Sequence, residues 1–440
     1  MFAVGYKLYR NKERYTLGFS IILFIFLFFG SIIDTAVAVN LLNPQSGVSI
    51  TIACCFFLVC TAIIFLCSSL HQNTVKKLLQ FWMVYCSVLI IYDGISFMVN
   101  EKKEKKYLAT SKDIKGFTVA EKPSIFFLLL DMYPSDTVLK QYFSFDNVAL
   151  STFLKEQHFF VTGNARSLYI ETYYSLASTM GLHPLPYFND SAVDGYKKKL
   201  IALKNIQHTS LPAIFQKSGY TFRNFSVFDL QEQPSPLQFN LNYHIDNALT
   251  AATFFNRFYD TFEPDFFLAN RGIDVGFIKT SWSDNVKTDL SFLSTKFNLL
   301  MDSFPGLKQP SFNYFHFMMP HPPVVYDSSG HLNSGRDMYT YNGFEKTNQN
   351  FVSFVKYANG ELEKMVKKIF KKVGKNVIII IQGDHGYREY SDRFPDAVRY
   401  GVLNAVYLPG KNYTGLNDSI TVVNTFKQVL KNQFNYEVKP

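Results

Sequence analysis

Residues 377–386 read VIIIIQGDHG, five aliphatic side chains in a row and then an abrupt change to Gln382, Gly383, Asp384, His385 and Gly386. An apolar run of this length, closed by turn residues, is how a central strand of a parallel sheet reads when it is buried on both faces. The segment before it, 350–372, carries Phe351, Phe354, Ala358, Leu362, Met365 and Ile369 at three- and four-residue steps, with lysines opposite, which predicts an amphipathic helix. Helix followed by buried strand is the repeating unit of an α/β sheet. Towards the N-terminus, 124–130 (SIFFLLL) is a second buried run and ends at Asp131, and 312–317 and 405–408 are further strand candidates. The expected fold class is therefore α/β, a sandwich around a mainly parallel central sheet.

In such sheets functional groups collect outside the carboxyl ends of the strands. Asp131 stands there after one strand, and Asp384 with His385 after another. Carboxylate oxygens and an imidazole nitrogen without a thiolate suit one divalent ion such as Zn, Mn or Mg. A single strand-end Asp is more often a turn residue, but two strand ends with the same pattern point to a site. The segment 171–180 (ETYYSLASTM) predicts a helix start whose small residues Ser175, Ala177, Ser178 and Thr179 allow close packing. The Thr172 hydroxyl at its dipole-positive end is either an activated nucleophile on a metal or a helix cap. The segment 314–327 (YFHFMMPHPPVVYD) contains His316 and His321. Five residues apart, they do not share a helical face. His321, in a His-Pro-Pro turn, is a candidate for holding a leaving or attacking oxygen, and His316 is either a substrate contact or a packed, hydrogen-bonded histidine.

The N-terminal part is different in kind. Of 440 residues 48% are apolar and 18% charged, against roughly 25% charged in soluble domains. The shortfall is concentrated in three apolar segments, 17–39, 48–70 and 78–98, each near the ~20 residues that cross a bilayer. A cleaved signal peptide followed by two core helices is the rival reading; the length of the first segment and the lack of a small-x-small cleavage pattern speak against it. Lys7, Arg10, Lys12 and Arg14 before the first segment, an uncharged loop at 40–47, and Lys76 with Lys77 between the second and third predict a cytoplasmic N-terminus and a C-terminal domain on the outer side. Lys102, Lys103, Lys105 and Lys106 run against that rule. Asp34 and Asp93 fall near the outer ends of their segments, within reach of headgroup water, and this interfacial placement is preferred to an intramembrane ion site. The polar, lysine-rich stretch 100–121 reads as a juxtamembrane linker. The expected organisation is a transmembrane region at 1–99, the linker at 100–121 and a catalytic domain at 122–440. The net charge of +9 comes from these flanks and one helix face, with no zinc-finger, helix-turn-helix or RNA-binding signature, so nucleic acid is not expected as a partner. All five cysteines lie between Cys54 and Cys86, leaving the C-terminal domain without disulfide, thiolate ligand or thiol nucleophile.

Taken in order, Leu-Leu-Leu-Asp131-Met-Tyr-Pro-Ser, Thr172-Tyr-Tyr-Ser-Leu-Ala-Ser, Met-Pro-His321-Pro-Pro-Val-Val-Tyr-Asp and Gln-Gly-Asp384-His385-Gly resemble the alkaline phosphatase superfamily. Within it they are most similar to the membrane-anchored sulfatase-like hydrolases and transferases, the group of lipoteichoic acid synthases and phosphoethanolamine transferases. The resemblance spans 123–409 and extends to the apolar N-terminal segments. It implies an alkaline-phosphatase-like sandwich in which Asp131, Thr172, Asp384 and His385 surround one metal and Thr172 becomes phosphorylated. It also implies a phospholipid donor of phosphoethanolamine or phosphoglycerol, and a glycan or lipid of the envelope as acceptor. The location it implies is multi-pass in the inner, cytoplasmic membrane with the catalytic domain outside. Arg388, just after Asp-His-Gly, is expected as a phosphate clamp or, failing that, a surface arginine. Sulfatases proper carry Cys or Ser in a Cys/Ser-x-Pro-x-Arg pattern, which this domain lacks. Two-zinc relatives need a later histidine, and none follows His385. In the transferases the first ligand is usually Glu, whereas here it is Asp131. The alternatives are a phosphodiesterase or phosphatase of the same superfamily, with water as acceptor, and a non-catalytic envelope protein of this fold.

Overall fold

A computed structural model of the chain describes residues 12–29, 32, 50–105, 107–108, 114–191, 193, 195–237, 282–307, 309–333, 338 and 343–438. Two compact units divide it, one within Met1–Lys106 and one made of Tyr107–Asn242 and Lys279–Pro440.

The first unit contains helices α1 (Lys12–Leu27), α2 (Ile50–Ser69) and α3 (Gln72–Lys105). They touch through a small cluster of Leu17, Cys67 and Val75, with Ile21, Ile63, Leu70 and Leu79 around it. Arg14 donates to the Ser68 carbonyl at 2.8 Å. Many of the other large apolar side chains point outward, Phe65 at 72% and Ile90 at 73% exposure among them. Among the described residues one stretch, Gln72–Tyr92, is long and apolar enough to cross a membrane, and Cys55–Ser69 is a shorter apolar helix. Most of the C-terminal half of the expected segment 17–39, Asp34 included, lies outside the described residues, as does the Asp93 side chain. Helix α3 continues to Lys105, into the stretch expected as linker. The residues there are Glu and Lys, which are polar yet good helix formers, so polarity alone did not mark an end.

The second unit is built on a six-stranded sheet in the order β2-β6-β5-β1-β4-β3. Its elements run β1 (Ser124–Leu130), α4 (Asp136–Phe143), α5 (Val148–Glu156), β2 (Phe160–Thr162), α6 (Thr172–Gly181), α7 (Gly195–Gln207), α8 (Ser210–Lys217), β3 (Thr221–Phe225), α9 (Trp282–Ser303), β4 (Ser311–Phe317), α10 (Phe344–Val373), β5 (Val377–Gly383), α11 (Asp396–Tyr400), β6 (Asn404–Tyr407) and α12 (Val422–Phe434). β1 runs parallel to both β4 and β5, and β3 parallel to β4; β6 and β2 close one side antiparallel. Every residue of β1, β4 and β5 is buried, as continuous apolar runs demand. Successive side chains leave a strand on opposite faces. Phe127 meets Phe426 of α12 edge-on at 4.8 Å, while Phe126 packs on Phe304 at 5.7 Å, so both faces are covered. This is the expected α/β sandwich.

The later part of the expected linker belongs to this unit. Phe117 is buried among Phe215, Tyr220, Phe434 and Tyr436, its N–H donates to Ser218 Oγ at 2.8 Å, and Lys217 donates to the Ile114 carbonyl at 2.8 Å.

Candidate active site

Parallel register brings three strand ends to one place. Leu130 pairs with Phe317 on one side and with Gly383 on the other, so Asp131 follows β1 where Asp384 and His385 follow β5. One step back, Leu129 pairs with His316 of β4. Asp131, Thr172, His316, Asp384 and His385 are all buried, none more than 6% exposed. Polar groups so far from water need partners.

Asp384 has partners for half of its carboxylate. Its Oδ1 accepts the N–H groups of Met132 at 2.9 Å and His385 at 2.8 Å. Met132 holds a left-handed backbone, φ 62°, at the turn leaving β1, a conformation uncommon for a non-glycine residue. The ring of His385 is fixed by its Nδ1–H, which donates to the Gly386 carbonyl at 2.8 Å and leaves Nε2 turned to the cluster. That Nε2 lies 3.5 Å from Asp131 Oδ1, 3.5 Å from Asp384 Oδ2 and 3.3 Å from Thr172 Oγ1. On the far side, His316 Nε2 is 3.5 Å from Asp131 Oδ2. The two glycines of Gln-Gly-Asp-His-Gly permit this packing. A Cβ on Gly386 would stand 2.2 Å from the Val398 carbonyl oxygen, and one on Gly383 would stand 2.4 Å from that of Tyr133.

Asp131 Oδ1, His316 Nε2 and Asp384 Oδ2 are buried with no hydrogen-bond partner, and ligand atoms of these three residues lie within 4.8 Å of one another. Orphaned acceptors facing each other are costly unless a cation joins them. Ligands bound at ~2.0–2.1 Å in a tetrahedron stand roughly 3.3 Å apart, close to the spacings around His385 Nε2. The donor set therefore fits a divalent ion of the Zn, Mn or Mg kind. Burial alone would raise the Asp131 carboxyl, but His321, His316 and His385 opposite it prevail and hold it below the ordinary range.

Thr172 reaches this cluster because α6 begins at it. The N-cap is Glu171, in extended backbone (φ −112°, ψ 134°), so Thr172 is the first helical residue and not the cap. The small residues of α6 act as expected: Ser175 Oγ donates to the Asp384 carbonyl at 2.6 Å and lies 3.0 Å from Ser167 Oγ, which brings the helix against the loop after β5.

Beside the cluster sits a second group. His321 lies between two cis X-Pro bonds, Met319-Pro320 and Pro322-Pro323, and its ring is 6.5 Å from that of His385. Its Nδ1–H donates to the Pro322 carbonyl, and its Nε2 accepts from Arg388 Nη2 at 3.1 Å. Arg388 Nη1 donates to Glu171 Oε2 at 2.6 Å. Burial, then the Arg388 and His385 charges, depress the His321 imidazole against the pull of Asp131. For Arg388, burial is outweighed by Glu171, Asp131 and Asp384, which hold it firmly cationic.

All seven residues singled out in the sequence thus lie in one neighbourhood. His316 differs from its expected place: it stands at Asp131 among the candidate ligands and not with His321 and Arg388. Glu171 carried no signal beyond its position next to Thr172.

A family model described as Sulfatase matches residues 157–427, a range holding these residues except Asp131. Among solved structures, the soluble domain of lipooligosaccharide phosphoethanolamine transferase A from Neisseria meningitidis is 13% identical, with a TM-score of 0.43 over 74% of this chain and 92% of that one. The integral membrane form of that transferase is 12% identical, with a TM-score of 0.41 over 85% and 69%. The C-terminal periplasmic domain of phosphoethanolamine transferase EptC from Campylobacter jejuni is 12% identical, with a TM-score of 0.41 over 74% and 92%. Among curated proteins none matches in sequence.

Proposed function

The chain belongs to the sulfatase family, and from that premise we propose that it is a membrane-tethered, metal-dependent phosphotransferase working through a phospho-Thr172 intermediate. The observation that carries the proposal is the set of buried, unpaired acceptors, Asp131 Oδ1, His316 Nε2 and Asp384 Oδ2, with the Thr172 hydroxyl at 3.3 Å from His385 Nε2 beside them. Asp131, His316, Asp384 and His385 would hold one divalent ion. Bound there, a Zn, Mn or Mg ion lowers the pKa of a neighbouring hydroxyl and neutralises phosphoryl oxygens. Thr172 Oγ forms a bond to phosphorus as the bond to the diacylglycerol oxygen breaks, and the proton lost by Thr172 is balanced by the one that diacylglycerol gains. A hydroxyl of a glycan or lipid acceptor then attacks the same phosphorus, and Thr172 recovers its proton as it leaves. Arg388 binds the phosphoryl oxygens, and His321, with its Nδ1–H committed to the Pro322 carbonyl and its Nε2 lone pair to Arg388 Nη2, holds that guanidinium beside them.

Phosphoryl chemistry is preferred to sulfate ester hydrolysis because residue 172 is Thr and the catalytic unit has no cysteine. A lipid donor is preferred because the apolar helices at the N-terminus would keep the site beside a membrane at high effective concentration. The remaining proposals follow from the sequence: three crossings, the N-terminus inside, the catalytic domain in the extracytoplasmic space, and a boundary in 100–121.

The test is release of diacylglycerol from labelled phosphatidylethanolamine and phosphatidylglycerol by purified protein in detergent with Mn²⁺ or Zn²⁺. Wild type releases it from one of the two lipids, which names the group, and Thr172→Ala is expected to fall by on the order of 10³-fold or more. Full release by Thr172→Ala overturns the proposal. Transfer only to water, with an alcohol acceptor present, replaces it with a phosphodiesterase.

A further inference from the structure

Glu171 holds a position its side chain does not serve. N-caps favour Ser, Thr, Asp and Asn, whose short side chains reach back to the free N–H groups of the first turn. Glu171 makes no such bond; only its backbone carbonyl takes part, accepting from Tyr174 N–H at 3.0 Å and Ser175 N–H at 2.9 Å. Its carboxylate is turned instead to Arg388 Nη1 at 2.6 Å, while Nη2 of the same guanidinium donates to His321 Nε2 at 3.1 Å. The pair is half-buried, with side chains 28% and 36% exposed, so water screens it incompletely. A guanidinium is a rigid planar fork, and fixing two of its donors fixes the plane.

We propose that Glu171 is a positioning residue, which aims Arg388 at the phosphoryl group carried by its chain neighbour Thr172 and keeps His321 with Nε2 as the accepting nitrogen. This deepens the phospho-Thr172 reading and rests on it. Covalent adjacency makes the arrangement stiff: the residue that orients the cation and the residue that bears the phosphoryl group share one peptide bond at the start of α6. Without Glu171, the acidic groups that attract Arg388 are Asp131, Asp384 and Glu389, and the first two lie in the ligand cluster, away from its present seat.

The experiment uses the full chain in detergent, saturated with Zn²⁺, and measures binding of inorganic phosphate by calorimetry together with kcat and KM for diacylglycerol release. The variants are Glu171→Gln, Glu171→Asp, Arg388→Ala and the double variant Glu171→Gln/Arg388→Ala. Glu171→Gln is expected to weaken phosphate binding roughly tenfold and Arg388→Ala at least as much. The double variant should be no weaker than Arg388→Ala, because Glu171 acts through Arg388. Glu171→Asp, which keeps the charge, should recover part of the loss. A purely structural role at the helix end would instead lower the melting temperature and give losses that multiply in the double variant. Multiplying losses, or unchanged phosphate binding in Glu171→Gln, overturn the proposal. If wild type binds phosphate as described but releases no diacylglycerol, the phospholipid reading fails and the positioning role stands.

Discussion

Two apolar regions of this chain, β1 and the Gln72–Tyr92 part of α3, are opposite in burial. Ile125 to Leu130 of β1 are at most 1% exposed, whereas Phe81, Val84, Ile90 and Ile91 are 61–73% exposed. The difference lies in the backbone. A strand leaves its N–H and C=O groups to be met by neighbours, so β1 exists only with β4 and β5 against it. A helix satisfies its own backbone and can present apolar side chains to hydrocarbon without any protein partner. An apolar run therefore has two uses, a strand that must be enclosed by protein and a helix long and apolar enough to cross a membrane.

Substitutions at matched positions would break or sharpen that contrast. The largest effect is expected from Ile380→Asp, an unpaired charge placed in the middle of β5, where Ile380 is 0% exposed. The unit built on the six-stranded sheet should fail to fold, seen as loss of its thermal transition. Next comes Leu128→Ala, which empties a buried position and should cost about 2–5 kcal/mol, read from the melting temperature in detergent. Val84→Asp should leave that transition in place but reduce recovery in the membrane fraction, since a carboxylate at a helix centre costs about 2.5–3.5 kcal/mol to insert. The smallest effect belongs to Ile91→Ala, with stability of the catalytic unit unchanged within about 0.5 kcal/mol. Equal losses for Leu128→Ala and Ile91→Ala would mean that both runs are packed in protein, and the membrane reading of α3 would fall.

Much of this fold was readable because buried parallel strands announce themselves. The run 124–130 is β1 to the residue, and 377–381 is β5 without its last two residues. Helix α10 begins at Phe344, six residues before its apolar spacing becomes regular. The polar stretch there leaves no pattern, although Phe344 packs on Tyr390 and Phe394. Strand β3 (TFRNF) alternates between buried and half-buried positions and is too short and polar to stand out. At the site, residues ending a strand or opening a helix were legible, because an abrupt apolar-to-polar change marks them. His316 was singled out as well, but its place beside Asp131 was not legible, because it lies inside a strand buried on both faces and that neighbourhood is a matter of register. That register, Leu129 opposite His316, is set by two segments that no local pattern connects. Glu171 and Arg388 meet across 217 positions, which is equally invisible along the chain.

The sheet order also bears on how the protein is made. β1 is the first strand of its sheet to be synthesised, yet it sits at the centre. Its partners arrive far later: Ser124 and Ser311, bonded at the start of the β1–β4 pair, are 187 residues apart, and Met132 and Asp384 are 252 apart. Pairings of such high contact order form slowly. Until β4 emerges SIFFLLL has neither of its strand partners, and its other edge stays open until β5 follows, so the centre of the sheet is completed only when most of the chain has been made.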